Sequence, residues 1–243
     1  MNALLDGVLA AHGGAQRWRS VSVITARGRT GGLLPARFPG NRLANFAVDV
    51  HIAERRTVLH DFPHIGQRAV FDRGDVRIDT YDGRLLDARS NARSEFFGLS
   101  GVRRNVRWDP LDLAYFAGYA FWNYLTAPLL LTFDGVAVTE GEPWTNSGIR
   151  WRRLHATFPA EIDTHCRQQT FYVADDGLIG RHDFVAGPVG RWAQAALYCD
   201  QHRPFDGLVF PTRRRVLPRG LGGRVSPRPT LLAIDFDDIA IER

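Results

Sequence analysis

Lysine is absent from all 243 residues, so every one of the 31 basic side chains is an arginine. So uniform a replacement has the mark of genome-wide coding bias rather than of site chemistry, and it lowers the functional weight of any single arginine. Cysteine is scarce as well. Cys166 and Cys199 stand 33 positions apart, too far for a CxxC metal knuckle and too few for a disulfide framework. They read as two free buried thiols in a reducing compartment. A bilayer span needs about 20 consecutive apolar residues, and no such run occurs. The nearest, "YFAGYAFWNYL" (Tyr115 to Leu125), has Asp109 and Asp112 before it, Asn123 inside it and Pro128 after it. HExxH, GxSxG, the P-loop and a GxGxxG following a strand are all missing. Phosphate cradling and dinucleotide binding therefore have no support, and no cofactor is expected. No metal is expected either, because no two histidines sit at i,i+2 or i,i+4 with a carboxylate to complete a ligand set. His60 and His64 flank Pro63 and share no helical face.

What is present is an ordinary globular composition, 44% hydrophobic and 23% charged with net charge +5. The opening "MNALLDGVLAAHGGAQRW" lacks a basic leader region and carries Asp6 within its apolar run. It reads as a short amphipathic helix over about 3–13, ended by Gly13 and Gly14, rather than as a signal peptide. Cytoplasmic residence is the resulting expectation. From Val21 the period changes to two, through "VSVITARGR", "NRLANFAVDVHI" and "RRTVLHDF". Turn signals at "DRGD", "YDGR" and "ADDG" separate further short strands. Residues 88–107 are polar and irregular and read as a loop or short helix. Asp109-Pro110 starts a helix that runs to about Ala127, where Pro128 stops it. Strand patterns follow at regular spacing from "LLLTFDGVAVTE" to "TLLAIDFDDIAIE". Nine to eleven strands in hairpin succession do not suit a parallel doubly wound sheet. The expected fold is mainly β (α+β): one domain over 1–243, a large antiparallel sheet curled around the central aromatic helix.

That helix is apolar nearly all round, which requires burial on more than one side. One face holds Leu111, Tyr115, Gly118, Tyr119 and Trp122; another holds Leu113, Phe116, Ala117, Ala120, Phe121 and Tyr124. Buried tyrosine hydroxyls need hydrogen-bond partners, and Gly118 and Ala120 leave space. Core packing and contact with an apolar guest are both consistent with this composition. The candidate ligand contacts are Tyr115, Tyr119, Trp122 and Phe116.

Histidines form the most suggestive polar set. His155, His165, His182 and His202 fall in or beside late strands. A hairpin closed at "ADDG" places Gln169 or Thr170 opposite His182, according to loop length. Facing strands bring His165, His182, Tyr172 and Tyr198 toward one surface if their parities agree. Asp183 would then orient a histidine for general acid–base chemistry. The plainer alternative is separate histidines satisfied by carboxylates such as Asp183 or Asp200. The arginine runs "VRRNVR", "RWRR" and "TRRR" do not form one patch, because Arg213 and Arg215 point opposite to Arg214 along a strand. Asp235, Asp237 and Asp238 on the next strand are their expected partners. No aromatic stacking platform accompanies them, so nucleic acid is not an expected partner.

Three stretches together resemble the bacterial lipoprotein-carrier (LolA-like) superfamily. They are "LLDGVLAAHGGAQRWRSVSVITARGR", "HCRQQTFYVADDGLIGRHDF" and "GLVFPTRRRVLPR", and the likeness of architecture extends over about two-thirds of the chain. The resemblance implies a strongly curved antiparallel sheet forming an incomplete barrel, with helices closing its concave apolar face. Characterised carriers of this kind are exported and bind acyl chains. This sequence shows no export signal, so a cytoplasmic relative is expected. The implied function is binding of a hydrophobic small molecule, a lipid, polyketide or terpenoid. The alternative is a cofactor-independent isomerase, cyclase or hydrolase acting on such a ligand through His165, His182, Tyr172, Tyr198 and Asp183.

Overall fold

The computed structural model describes residues 2–36, 43–97, 104, 107–146 and 148–243. Helix α1 (Ala3–Ala11) starts where the Asn2 side chain accepts from the Leu4 and Leu5 amides, and it buries Leu4, Leu5, Val8 and Leu9. A short α2 (Ala15–Arg19) follows and seats Trp18 against Phe210. Thirteen strands then form one antiparallel sheet: β1 Val23–Gly31, β2 Asn45–His51, β3 Arg56–His60, β4 Gln67–Asp72, β5 Asp75–Thr80 and β6 Leu85–Arg89, then β7 Ala137–Asn146, β8 Ile149–Thr157, β9 Gln168–Val173, β10 Ile179–Val185, β11 Gln194–Phe205, β12 Leu208–Pro218 and β13 Leu232–Glu242. Short α3 (Leu33–Ala36) follows β1. The spatial order is β6-β5-β4-β3-β2-β1-β13-β12-β11-β10-β9-β8-β7, so β6 and β7 are open edges and the barrel is incomplete.

This order explains the helix. Each half of the chain is a meander leading away from the β1–β13 seam, so the chain must travel from one edge of the sheet to the other between β6 and β7. Helix α4 (Pro110–Thr126) makes that crossing through the inside of the curl. Its start is a full capping box, with Asp109 accepting from the Asp112 amide, Asp112 accepting from the Asp109 amide, and Pro110 in the first turn. It ends because Pro128 forces Ala127 into extended backbone, ψ 133°. The mainly β half-barrel closed by an aromatic helix and a short N-terminal helix is therefore what the chain forms.

Several local expectations change. Among the described residues there are thirteen strands, not nine to eleven. "LLLTFDGVAVTE" is not one strand: Leu129–Thr132 is a 3-10 turn with all three leucines buried, and β7 begins only at Ala137. A leucine run has no alternation by which sequence could tell the two apart. Within 88–107, Ala92–Phe96 is a 3-10 turn, while 98–103 and 105–106 lie outside the described residues. At "ADDG" the connection spans five residues, Ala174 to Leu178, with Gly177 at φ +81°. A bulge between Ile179 and Arg181 then sets Phe171, not Gln169 or Thr170, opposite His182. The arginine alternation holds as expected: Arg215 Nη2 donates to both carboxylate oxygens of Asp235 at 2.8 Å, and Arg29 rather than Arg213 takes Asp237. Arg214 turns inward to the Tyr124 carbonyl at 2.7 Å. Both cysteines are free. Among the described residues no helix is long and apolar enough to cross a membrane.

Candidate functional site

The two faces of α4 meet different surroundings. One packs directly on the N-terminal half of the sheet. Thr57 donates to the Gly118 carbonyl at 2.9 Å, the Trp122 indole donates to the His51 carbonyl at 3.2 Å, and Phe71 lies edge-on to Tyr115 at 5.9 Å. A Cβ on Gly118 would sit 2.3 Å from the Phe71 Cβ. Gly118, expected to leave room, instead marks the closest approach of helix to sheet. Tyr115 donates to Asp163 at 2.6 Å and accepts from Arg93 at 3.1 Å. Tyr115, Tyr119 and Trp122 are buried, and none of them is among the residues lining the cavity on the opposite face.

The opposite face of α4 borders space. A cavity of about 350 Å³ lies between the helix and the C-terminal half of the sheet. Phe116 and Tyr124 come from α4, Phe184 from β10, Ala195 from β11, Val216 from β12 and Leu232 from β13. Leu33 and Leu34 on α3 and Trp192 between β10 and β11 complete its rim. A smaller apolar pocket of about 40 Å³ adjoins it, sharing Leu34, Phe116, Tyr124 and Leu232 and lined further by Leu113, Ala117 and Ala120. The rim carries exposed apolar side chains, Trp192 at 75% and Leu33 at 52% accessible, which a guest would cover. Of the four residues expected to touch a ligand, Phe116 alone lines this cavity. Periodicity identified both apolar faces, but not which one the sheet would leave uncovered.

His165 forms part of the cavity wall and is fully held by the helix. Its Nδ1 lies 3.0 Å from the Tyr119 hydroxyl and its Nε2 2.8 Å from the Tyr124 hydroxyl, while its ring stacks on Phe184 at 3.9 Å. Burial lowers its pKa to about 3, so the ring is neutral, with one tyrosine donating to it and the other accepting from it. His182, on the same side of the sheet, hydrogen-bonds Gln169 through Nε2 and stacks on Phe171 at 4.1 Å. Burial also holds its pKa well below the usual imidazole value.

Tyr172, Tyr198 and Asp183 are on the other side. Successive residues of a strand face opposite ways, so Asp183 points away from His182 and cannot orient either histidine. It accepts instead from Arg181, Nε at 2.7 Å and Nη2 at 2.9 Å, and from the Tyr172 hydroxyl at 3.0 Å. The rings of Trp144, Tyr172 and Tyr198 surround the Arg181 guanidinium at 4.9, 4.8 and 5.5 Å. Burial and the adjacent Asp183 push the Tyr172 pKa up to about 12, which keeps its hydroxyl a donor. The five residues expected to act together are split by the sheet into two groups. His155, also singled out, bonds Thr170 at 3.0 Å on this outer side, and His202 lies 3.2 Å from the Ile179 carbonyl.

One polar residue at the cavity was not anticipated. Arg219, just past β12, lines both the apolar cavity and a cleft of about 590 Å³ on the outer side of the sheet. Nothing in "GLVFPTRRRVLPR" distinguishes it from the other arginines.

No protein-family model matches the chain, and no curated protein matches it. Its likeness is to solved structures. A DUF1329 family protein from Desulfovibrio piger superposes with TM-score 0.53 at 13% identity, over 99% of this chain and 92% of that one. A LolA superfamily protein from Nitrosomonas europaea gives TM-score 0.53 at 12% identity, over 99% and 93%. A domain from Vibrio parahaemolyticus named for outer membrane lipoprotein sorting gives 0.51 at 8% identity, over 99% and 91%. With its open antiparallel sheet and interior helix, the chain has the fold of the LolA-like half-barrels.

Proposed function

We propose that the chain binds a hydrophobic small molecule, of lipid, polyketide or terpenoid type, between α4 and the C-terminal half of the sheet. The observation that carries this is the 350 Å³ cavity with apolar walls and an exposed apolar rim at Trp192 and Leu33, a size and lining typical of small-molecule sites. Burying about 200 Å² of apolar guest surface there favours binding by about 5 kcal/mol before ordering losses. The solved structures that the chain resembles, a LolA superfamily protein and a domain named for lipoprotein sorting, agree with a guest of this kind. The state of His165 favours a binding site over acid–base catalysis, because both ring nitrogens are occupied by tyrosine hydroxyls and burial keeps the ring neutral.

The test is mass spectrometry of organic extracts from the purified protein, with thermal shifts against a panel of lipids and polyketides. A recovered ligand, or a rise in Tm that grows with ligand concentration, is expected. Ala193→Trp fills the half-buried mouth of the cavity and should abolish the shift without lowering the ligand-free Tm. An empty extract together with a flat panel would overturn the proposal.

A further inference from the structure

We infer that the guest is an amphiphile with a carboxylate head, and that Arg219 is the residue that recognises it. This rests on the binding function proposed above and names the chemical class of its ligand. The cavity is lined by one formal charge, Arg219, and by no carboxylate among the described residues. That guanidinium is poorly used by the protein itself. Its Nε is buried with no hydrogen-bond partner among the described residues, and the nearby charge is Asp183 Oδ2 at 3.7 Å, beyond hydrogen-bond reach.

Asp183 is in any case already committed. Its two oxygens accept from Arg181 twice and from Tyr172, so one carboxylate faces two guanidiniums and one positive charge is left over. A buried donor without a partner is costly, and this one lies on the Asp183 side of the sheet, where Arg219 borders both the outer cleft and the cavity. The position is also rigid. The Arg219 amide donates to the Gln194 carbonyl at 3.0 Å, and its backbone bridges to Val225. Arg219 lines the outer cleft as well, so the head group would sit at the junction while the apolar body lies against Phe116, Phe184 and Val216. The planar guanidinium fork suits a carboxylate bidentately. An ammonium head would meet like charge, and a neutral head could accept one hydrogen bond but would not balance the surplus positive charge.

Displacement of Nile red by hexadecanoate and by hexadecan-1-ol at pH 8 separates the possibilities. The wild type should bind the acid about tenfold more tightly than the alcohol, the effect of one charge-assisted hydrogen bond. Arg219→Gln should lose the preference for the acid and bind acid and alcohol about equally, with its circular dichroism and urea midpoint showing that it folds. Equal affinities in the wild type, or a preference retained by the variant, would overturn the role of Arg219 while leaving an apolar binding site intact. If neither probe displaces Nile red from the wild type, both the head-group assignment and the binding function fail. The wild-type comparison needs no variant, so instability of Arg219→Gln cannot hide the answer.

Discussion

A neutral imidazole has one N–H and one lone pair, and His165 spends both on Tyr119 and Tyr124. Replacing Tyr124 with Phe keeps the ring against the cavity but strands one imidazole nitrogen in a buried site. The expected loss is about 1–3 kcal/mol in urea unfolding; a loss below about 0.5 kcal/mol would mean that the nitrogen finds another partner. Tyrosines in the helix signalled that such partners must exist, but their identity was not legible. Asp163 and His165 lie 48 and 46 positions from Tyr115 and Tyr119, and no local pattern connects them. Alternation within β10 did bear on the histidines: neighbours 182 and 183 face opposite ways whatever the register. What sequence could not supply was the bulge that set Phe171 opposite His182. Arg219 was hidden for a different reason. In a chain whose 31 basic residues are all arginine, residue type carries no signal: Arg56, Arg214 and Arg219 each bury an unsatisfied Nε, and of these three Arg219 is the one that lines the cavity.

Among the elements, α4 was the most legible and also the most misleading. Its ends follow from Asp109, Pro110 and Pro128, and its all-round apolar surface required burial on both sides. Which side would touch solid sheet and which a cavity depended on the curl of strands far along the chain. Gly118 shows the difficulty, since the same residue that suggests space from sequence permits contact with Phe71 in the structure. In an exposed helix Gly→Ala gains about 1 kcal/mol. Here the added Cβ would lie 2.3 Å from the Phe71 Cβ, and overpacking of this kind costs about 1–3 kcal/mol. Gly118→Ala is therefore expected to lower stability, and Gly118→Val to lower it further, with urea midpoints falling in that order. A stabilised Gly118→Ala would show that the helix stands off the sheet.

At the scale of the whole molecule, hairpin succession announced the antiparallel sheet, but the closing of β1 against β13 was not visible, because that pairing joins opposite ends of the chain. Buried histidines tie the same distant parts together. At the end of α1, His12 Nδ1 donates to the Val209 carbonyl at 2.8 Å while its Nε2 accepts from the Ile179 amide at 3.2 Å; His165 joins α4 to the C-terminal half, and His182 joins β10 to β9. Burial lowers the pKa of His12 to about 4 and of His165 to about 3, and lowers that of His182 well below its ordinary value. The unfolded chain takes up protons on these rings below about pH 6.5 while the folded chain does not. Stability therefore falls as pH drops from about 6.5 toward 4.5, approaching about 1.4 kcal/mol per pH unit for each ring and about 4 kcal/mol per unit for three. Burial raises the pKa of Asp163, which acts with the opposite sign and subtracts where it titrates. Urea unfolding at half-unit steps from pH 7 to 4.5 measures the slope. A flat profile over that window would mean that the three rings are solvated, and so that α1, α4 and the β9–β10 hairpin are not closed on one another as described.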